Sequence, residues 1–228
     1  MCKKHVQKQS YKNARLVQDP YSIQRTTLLL KGVNLYLIGM MGAGKTTIGR
    51  LLAKQLDYQF FDTDTLIEQA TGQSISQIFA ESGEEAFRQL ETNVLAELSP
   101  YTRLAIATGG GIVLKPENWG YLRHGVVVWL DVPLDQLHQR LQNDHSRPLL
   151  NSPDILEERL NALITQRQHL YAQADLKIAV QADESPTALS DRVMEAIAQA
   201  CQQKIAATQE LDRLNRETPY QIQNIQNN

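Results

Sequence analysis

Cysteine is nearly absent from this chain: Cys2 and Cys201 are the only two among 228 residues. That excludes a disulfide scaffold and any cysteine-rich zinc site. Reduced thiols, and hence a cytoplasmic setting, are the expectation. Long hydrophobic runs are missing as well. None approaches the roughly 18 residues that span a bilayer, so no membrane attachment is expected. The apolar stretch Thr27–Leu30 is far too short for a signal h-region, and no small-residue cleavage site follows it. Neither sign of charge dominates. With 23 bases, 25 acids and a net charge of −2, the molecule is no generic nucleic-acid binder. No internal repeat is present.

The remaining composition is that of a globular protein with a real core, 42% hydrophobic and 21% charged. The length suits one domain with residues to spare. Charge is unevenly placed. Residues 1–31 hold seven bases and the single acid Asp19, leaving 16 bases and 24 acids for the rest. The reading is therefore a basic, flexible N-terminal extension over 1–31, a folded domain over 32–203 and a polar tail over 204–228. The tail is rich in glutamine and asparagine, and its low hydrophobicity reads as a frayed end to a helix that begins near Thr187.

Between the ends, short apolar runs alternate with helical stripes. Strands are predicted at Asn34–Gly39, Gln59–Phe61, Leu104–Ala107, Gly125–Leu130 and Leu176–Val180. Helices are predicted at Thr46–Leu56, Thr65–Ala70, Ile75–Ala80, Glu84–Leu98, Pro133–Leu141, Pro153–Tyr171 and Pro186–Ala200. Buried strands that alternate with helices imply an α/β fold, a parallel sheet between two helical layers.

Gly39-Met-Met-Gly-Ala-Gly44-Lys45-Thr46 fits the phosphate-loop pattern G-x-x-x-x-G-K-[ST]. The glycines let successive N–H groups curl toward phosphate oxygens. Lys45 supplies a cation, the Thr46 hydroxyl suits Mg²⁺, and the following helix points its positive end at the same anion. A strand before the loop and an amphipathic helix after it give the right context. A dinucleotide fingerprint fits less well, because Thr47 stands where Gly or Ala is needed. No Asn-Lys-x-Asp motif for guanine is present. Asp131 imitates the acidic strand end of a motor ATPase, but Val132-Pro133 follows it. We read it as a strand-end or capping residue.

Asp62 and Asp64 flank Thr63 at a predicted strand end, where residues two apart point the same way. Asp62 suits Mg²⁺ through water, or a helix cap. Asp64 suits a substrate hydroxyl that must be oriented or deprotonated. Arg88 and Glu91 are three apart on a helix and can pair there, as a solvated pair or as part of a site. Gly109, Gly110 and Gly111 end a strand and allow close approach of a ligand. Arg147 lies in a polar stretch between helices, placed to act as a lid. Arg167 and Tyr171 stand one helical turn apart.

Taken together these segments resemble the shikimate kinase family, in a form like those of cyanobacteria and plant plastids. The resemblance rests on residues 39–49, Phe61-Asp-Thr-Asp64, Ser74-Ile-x-x-Ile-Phe79, Gly83-Glu-x-x-Phe-Arg-x-x-Glu91, Thr108-Gly-Gly-Gly111, Arg147-Pro-Leu-Leu150 and Arg167-x-x-x-Tyr171, and covers about residues 32–200. It implies a fold like that of the P-loop nucleoside-monophosphate kinases, a three-layer sandwich on a five-stranded parallel sheet of order 2-3-1-4-5. The implied reaction moves the γ-phosphoryl group of ATP to the 3-hydroxyl of shikimate, with Mg²⁺, on the route to chorismate. The implied partners are ATP and shikimate, and the implied state is a monomer.

By motif match Gly42, Ala43, Gly44, Lys45, Thr46 and Thr47 would hold ATP. Arg140 would pack on adenine and Arg147 would be the lid arginine. Thr46 and Asp62 would serve the metal, Asp62 through water. Asp64, Arg88, Gly110, Gly111 and Arg167 would bind shikimate. Asp64, Lys45 and Arg147 would carry catalysis. Where the family often has a basic residue near adenine, residues 181–186 contain Asp183 and Glu184 instead. Two arginines recognise carboxylates generally, so a gluconate-kinase-like enzyme of the same fold stays open. A non-catalytic ATP-binding module is the third reading. Against it stand Lys45, Thr46, Asp62, Asp64 and Arg147, all retained.

Overall fold

The computed structural model describes residues 26–142 and 156–217. Five strands form one sheet: β1 (Leu35–Ile38), β2 (Gln59–Asp62), β3 (Leu104–Ala107), β4 (Val126–Asp131) and β5 (Leu176–Ala179). Their order is β2-β3-β1-β4-β5 and every pairing is parallel. This is the expected α/β topology. Strands β1 and β3 are buried along their whole length, which is why both read as unbroken apolar runs rather than alternating ones. Trimming one central residue such as Leu37, fully buried, to alanine costs about 2–5 kcal/mol.

The helices are α1 (Lys45–Leu56), α2 (Thr63–Thr71), α3 (Ile75–Leu98), α4 (Pro116–Leu122), α5 (Leu134–Leu141), α6 (Leu156–Tyr171) and α7 (Pro186–Glu217). Helix α3 starts at a capping box. Ser74 Oγ accepts from Gln77 N (3.3 Å), and Gln77 Oε1 accepts from Ser74 N (2.8 Å). It is interrupted at Gly83 (φ 81°, ψ 173°), so the two helices read from the sequence, Ile75–Ala80 and Glu84–Leu98, are both there, one on each side of the break. Helices α7 and α1 pack together, tied by Gln55 Nε2 donating to Asp191 Oδ1 (2.8 Å).

Two features depart from the pattern of the sequence. Helix α4 falls in a stretch with no predicted element. Its seven residues include Gly120 and are too few to display a periodic stripe. Tertiary bonds hold it instead: Asn118 Nδ2 donates to Ile112 O (2.8 Å) and Trp119 Nε1 to Val113 O (3.3 Å). Helix α7 runs 17 residues beyond the predicted Ala200, although residues from Lys204 to Leu214 are exposed. Low hydrophobicity marks lack of burial there, not lack of helix. The N-terminal extension up to residue 25, and Arg147 with its proposed lid, lie outside the described residues. Residues 26–30, read from the sequence as part of the flexible extension, form a further short helix instead, and Leu30 joins the core.

Candidate active site

The phosphate loop joins β1 to α1 above the carboxyl edge of the sheet, where ligands of parallel α/β folds bind. Gly44 adopts a left-handed conformation (φ 89°, ψ 15°) and so does Gly42 (φ 75°). Residues with a Cβ resist that conformation, which explains the glycines. Lys45 Nζ donates to Gly39 O (2.9 Å) and Met40 O (2.8 Å), so the ammonium is largely buried against its own loop. A cleft of about 590 Å³ opens here. Gly42, Gly44, Lys45, Thr46 and Thr47 line it, with Asp62 and Asp64 opposite. Ala43 is directed elsewhere: its side chain joins the core, and its N–H donates to Met40 O (3.2 Å).

Asp62 takes one of the two roles read from the sequence, the helix cap, and also meets Thr46. Its Oδ1 accepts from Asp64 N (3.1 Å) and caps α2, while its Oδ2 accepts from Thr46 Oγ1 (2.7 Å). Among the described residues no cluster of three or more His, Cys, Asp or Glu is arranged to hold a metal. A hydroxyl and one carboxylate side by side next to a phosphate loop nevertheless suit Mg²⁺. That ion keeps several waters and takes its remaining oxygens from substrate phosphate.

A second cavity, about 50 Å³, adjoins the cleft. Met41, Asp64, Ile75 and Gly110 line both spaces. Behind them lie Arg88, Glu91, Gly111 and Arg167, with Phe79 and Phe87 forming an apolar wall. The rings of Phe79 and Phe87 lie 4.9 Å apart. The glycine run after β3 explains the close packing. A Cβ on Gly109 would collide with Glu91 Oε1, and one on Gly111 with the Arg88 guanidinium. Gly109 N donates to Thr63 Oγ1 (2.9 Å), which fixes the run against the start of α2.

Arg88 and Glu91 form a buried pair, not a solvated one: Nη1 to Oε2 is 2.6 Å, with the side chains 7% and 0% exposed. Spacing alone cannot distinguish the two cases, because burial is decided by α2, α4 and the glycine run packing over this face. Arg88 Nη2 also meets Glu84 Oε1 (2.7 Å). Burial lowers the Arg88 pKa, but Glu91 and Glu84 more than offset that and hold it above its ordinary value. Burial pushes the Glu91 carboxyl up from 4.5 to about 7, against the pull of Arg88, while Asp64 adds to the rise. Glu91 Oε1 makes no hydrogen bond among the described residues.

Arg167 and Tyr171 lie on the buried face of α6 with Leu156 and Leu160. Arg167 Nη1 donates to Gly110 O (3.3 Å), and Tyr171 Oη donates to the same oxygen (2.5 Å). Burial raises the Tyr171 hydroxyl to about 12, so it stays protonated and a donor, although Arg167 and Arg88 pull the other way. The Arg167 Nε is buried without a hydrogen-bond partner among the described residues. Sequence reasoning assigned Glu91 only a pairing with Arg88 and assigned Tyr171 no role. Their signals were a one-turn spacing from an arginine and a place in the motifs that carry the resemblance.

Arg140 reaches the loop itself, with Nη1 donating to Gly42 O (3.1 Å). The acidic segment before α7 is occupied structurally. Glu184 pairs with Arg192 (2.7 Å), whose Nη2 also donates to Ala179 O (2.7 Å). Asp131 ends β4, and its carboxylate meets Lys177 (3.0 Å).

A phosphate loop after the central strand of a sheet ordered 2-3-1-4-5 makes the chain a P-loop kinase by fold. The family model for shikimate kinase matches residues 41–205. A curated shikimate kinase of Nostoc sp. is 59% identical over 169 residues, covering 74% of this chain and 93% of that protein. The solved shikimate kinase of Acinetobacter baumannii in complex with shikimate superimposes with a TM-score of 0.71. It is 38% identical and covers 75% of this chain and 96% of that one. The chain belongs to the shikimate kinase family, and is an ATP-dependent phosphotransferase. A gluconokinase from Sinorhizobium meliloti, 14% identical with a TM-score of 0.53 over 77% of this chain and 97% of that one, shares the fold alone.

Proposed function

We propose that the chain transfers the γ-phosphoryl group of ATP to the 3-hydroxyl of shikimate, with ATP and Mg²⁺ in the larger cleft and shikimate in the smaller cavity. The observation that carries this is the shared wall. Asp64 lines both spaces, while two arginines lie only in the inner one. Phosphoryl transfer asks mainly for positioning and charge neutralisation, and the two compartments supply them separately.

In the cleft, the loop N–H groups and Lys45 bind the phosphate chain, with Arg140 at the loop's edge. Thr46 and Asp62 hold Mg²⁺, Asp62 through water. The ion, when bound, offsets charge on the β- and γ-phosphates. In the cavity, Arg88 and Arg167 take the substrate carboxylate, for which a planar guanidinium is suited. Gly110 and Gly111 supply backbone groups, and Asp64 accepts the proton side of the attacking hydroxyl. Phe79 and Phe87 cover the apolar ring face. Arg147 is assigned the lid role and, with Lys45, the charge of the transferring group.

Gluconate is an open chain of hydroxyls, whereas the inner cavity has an aromatic wall on one side and a carboxylate site on the other. That favours a compact cyclic acid. The catalytic unit is proposed as residues 32–203, acting as a monomer. A reducing cytoplasm suits its free, half-buried Cys201. Phosphorus NMR of the product of full-length protein with ATP, Mg²⁺ and shikimate tests the reading. A single monoester on the 3-hydroxyl is expected. Phosphate on another hydroxyl, or released as inorganic phosphate only, would reject it.

A further inference from the structure

All three nitrogens of the Arg88 guanidinium donate to protein carboxylates. On one side Nη1 donates to Glu91 Oε2 (2.6 Å). On the other, Nε (3.1 Å) and Nη2 (2.7 Å) both donate to Glu84 Oε1. The Nε–Nη2 edge is one of those that can grip a carboxylate with two parallel bonds. Here it is filled by a single oxygen of a protein carboxylate.

The two carboxylates differ in what they can do. Glu91 is completely buried on the middle of α3, while the Glu84 side chain is 47% exposed. Glu84 directly follows Gly83, the residue that breaks α3. Nothing lies within 4 Å of the position a Cβ on Gly83 would take, so this corner is open. Glu91 cannot leave, and Glu84 can.

We infer that Glu84 is an internal stand-in for the substrate carboxylate, which must displace it from the Nε–Nη2 edge of Arg88. The inference rests on the reading of Arg88 as a carboxylate-binding residue. Glu84 serves two ends. It keeps a buried guanidinium paired and aimed. It also sets a threshold for entry: a ligand must offer an anion able to compete for the arginine, so neutral polyols are disfavoured. Glu84 is thus a positioning and specificity residue, not a catalytic one.

The exchange of one carboxylate for another has a measurable signature. A half-exposed i,i+4 ion pair contributes little, so its removal lowers the KM for shikimate about two- to five-fold. Steady-state kinetics of full-length Glu84→Gln and Glu84→Ala test this, with Arg88→Lys run in parallel and thermal melts to show that each variant folds. The expected result is a lower shikimate KM in both Glu84 variants, with kcat and the KM for ATP unchanged. A shikimate KM that stays the same or rises in both would overturn the inference, leaving Glu84 as a mere support for Arg88. If Arg88→Lys also leaves the shikimate KM unchanged, the assignment of Arg88 fails and the stand-in fails with it. If Arg88→Lys raises the KM while the Glu84 variants do nothing, only the stand-in fails.

Discussion

Thr46 Oγ1 donates to Asp62 Oδ2 across 2.7 Å, joining the first turn of the phosphate-loop helix to the end of the edge strand β2. The same carboxylate caps α2 through its other oxygen. Asp62→Ala therefore removes two functions at once. Loss of the cap costs about 1 kcal/mol of stability. Loss of the metal-side carboxylate raises the Mg²⁺ concentration needed for half-maximal rate. Melting and a Mg²⁺ titration measure the two separately. An unaltered titration would confine Asp62 to its capping role.

Asp64 stands between the two compartments. Asp64→Asn keeps the shape of the side chain but removes its basicity. The expected outcome is a fall in kcat of about 10²–10⁴-fold, the range for losing a positioned general base, with the Kd for ATP unchanged. A kcat within a factor of a few of the parent enzyme would remove Asp64 from the chemistry.

The Arg88–Glu91 pair makes stability and binding separable. Arg88→Met leaves Glu91 buried without its cation, and at pH 8 the cost is roughly 3 kcal/mol. Arg88→Met/Glu91→Leu removes both charges and recovers most of that loss, while shikimate binding stays weak. Chemical denaturation and calorimetric titration read the two quantities. Equal stability of the single and double variants would show that the pair is not coupled.

Glu91 also predicts a pH dependence. Burial raises its folded pKa from 4.5 to about 7, so the folded state holds the proton more tightly than the unfolded chain. Its contribution to stability is complete below pH 4.5 and is lost as pH rises through 7, on the order of 3 kcal/mol in all. Glu91→Gln cannot titrate. Relative to this variant, the parent enzyme should lose ground steadily between pH 4.5 and 7. Parallel stability curves, or the opposite slope, would contradict the assignment.

Much of this site could be read from the chain. The left-handed Gly42 and Gly44 are demanded by the phosphate-loop pattern, and Asp62 and Asp64 by their two-residue spacing at a strand end. The sheet was legible because its central strands are apolar on both faces. Side chains whose role depends on what packs over them were not. Arg88 and Glu91 have the spacing of any surface pair, and only the glycine run pressed against them makes the pair buried. Tyr171 became a donor to Gly110 through the approach of α6 to a loop 61 residues earlier, a relation no local pattern encodes. Helix α4 was too short to show a period, and the outer part of α7 too exposed to show a stripe.

We propose that the inner cavity selects shikimate and the outer cleft delivers phosphate to it. The most direct measurement is ADP release by the full-length protein with ATP and Mg²⁺, comparing kcat/KM for shikimate and for gluconate under one set of conditions. The prediction is robust turnover with shikimate and at least a hundred-fold lower kcat/KM with gluconate, about 3 kcal/mol of discrimination. Comparable values for the two acids, or turnover with gluconate alone, would contradict it.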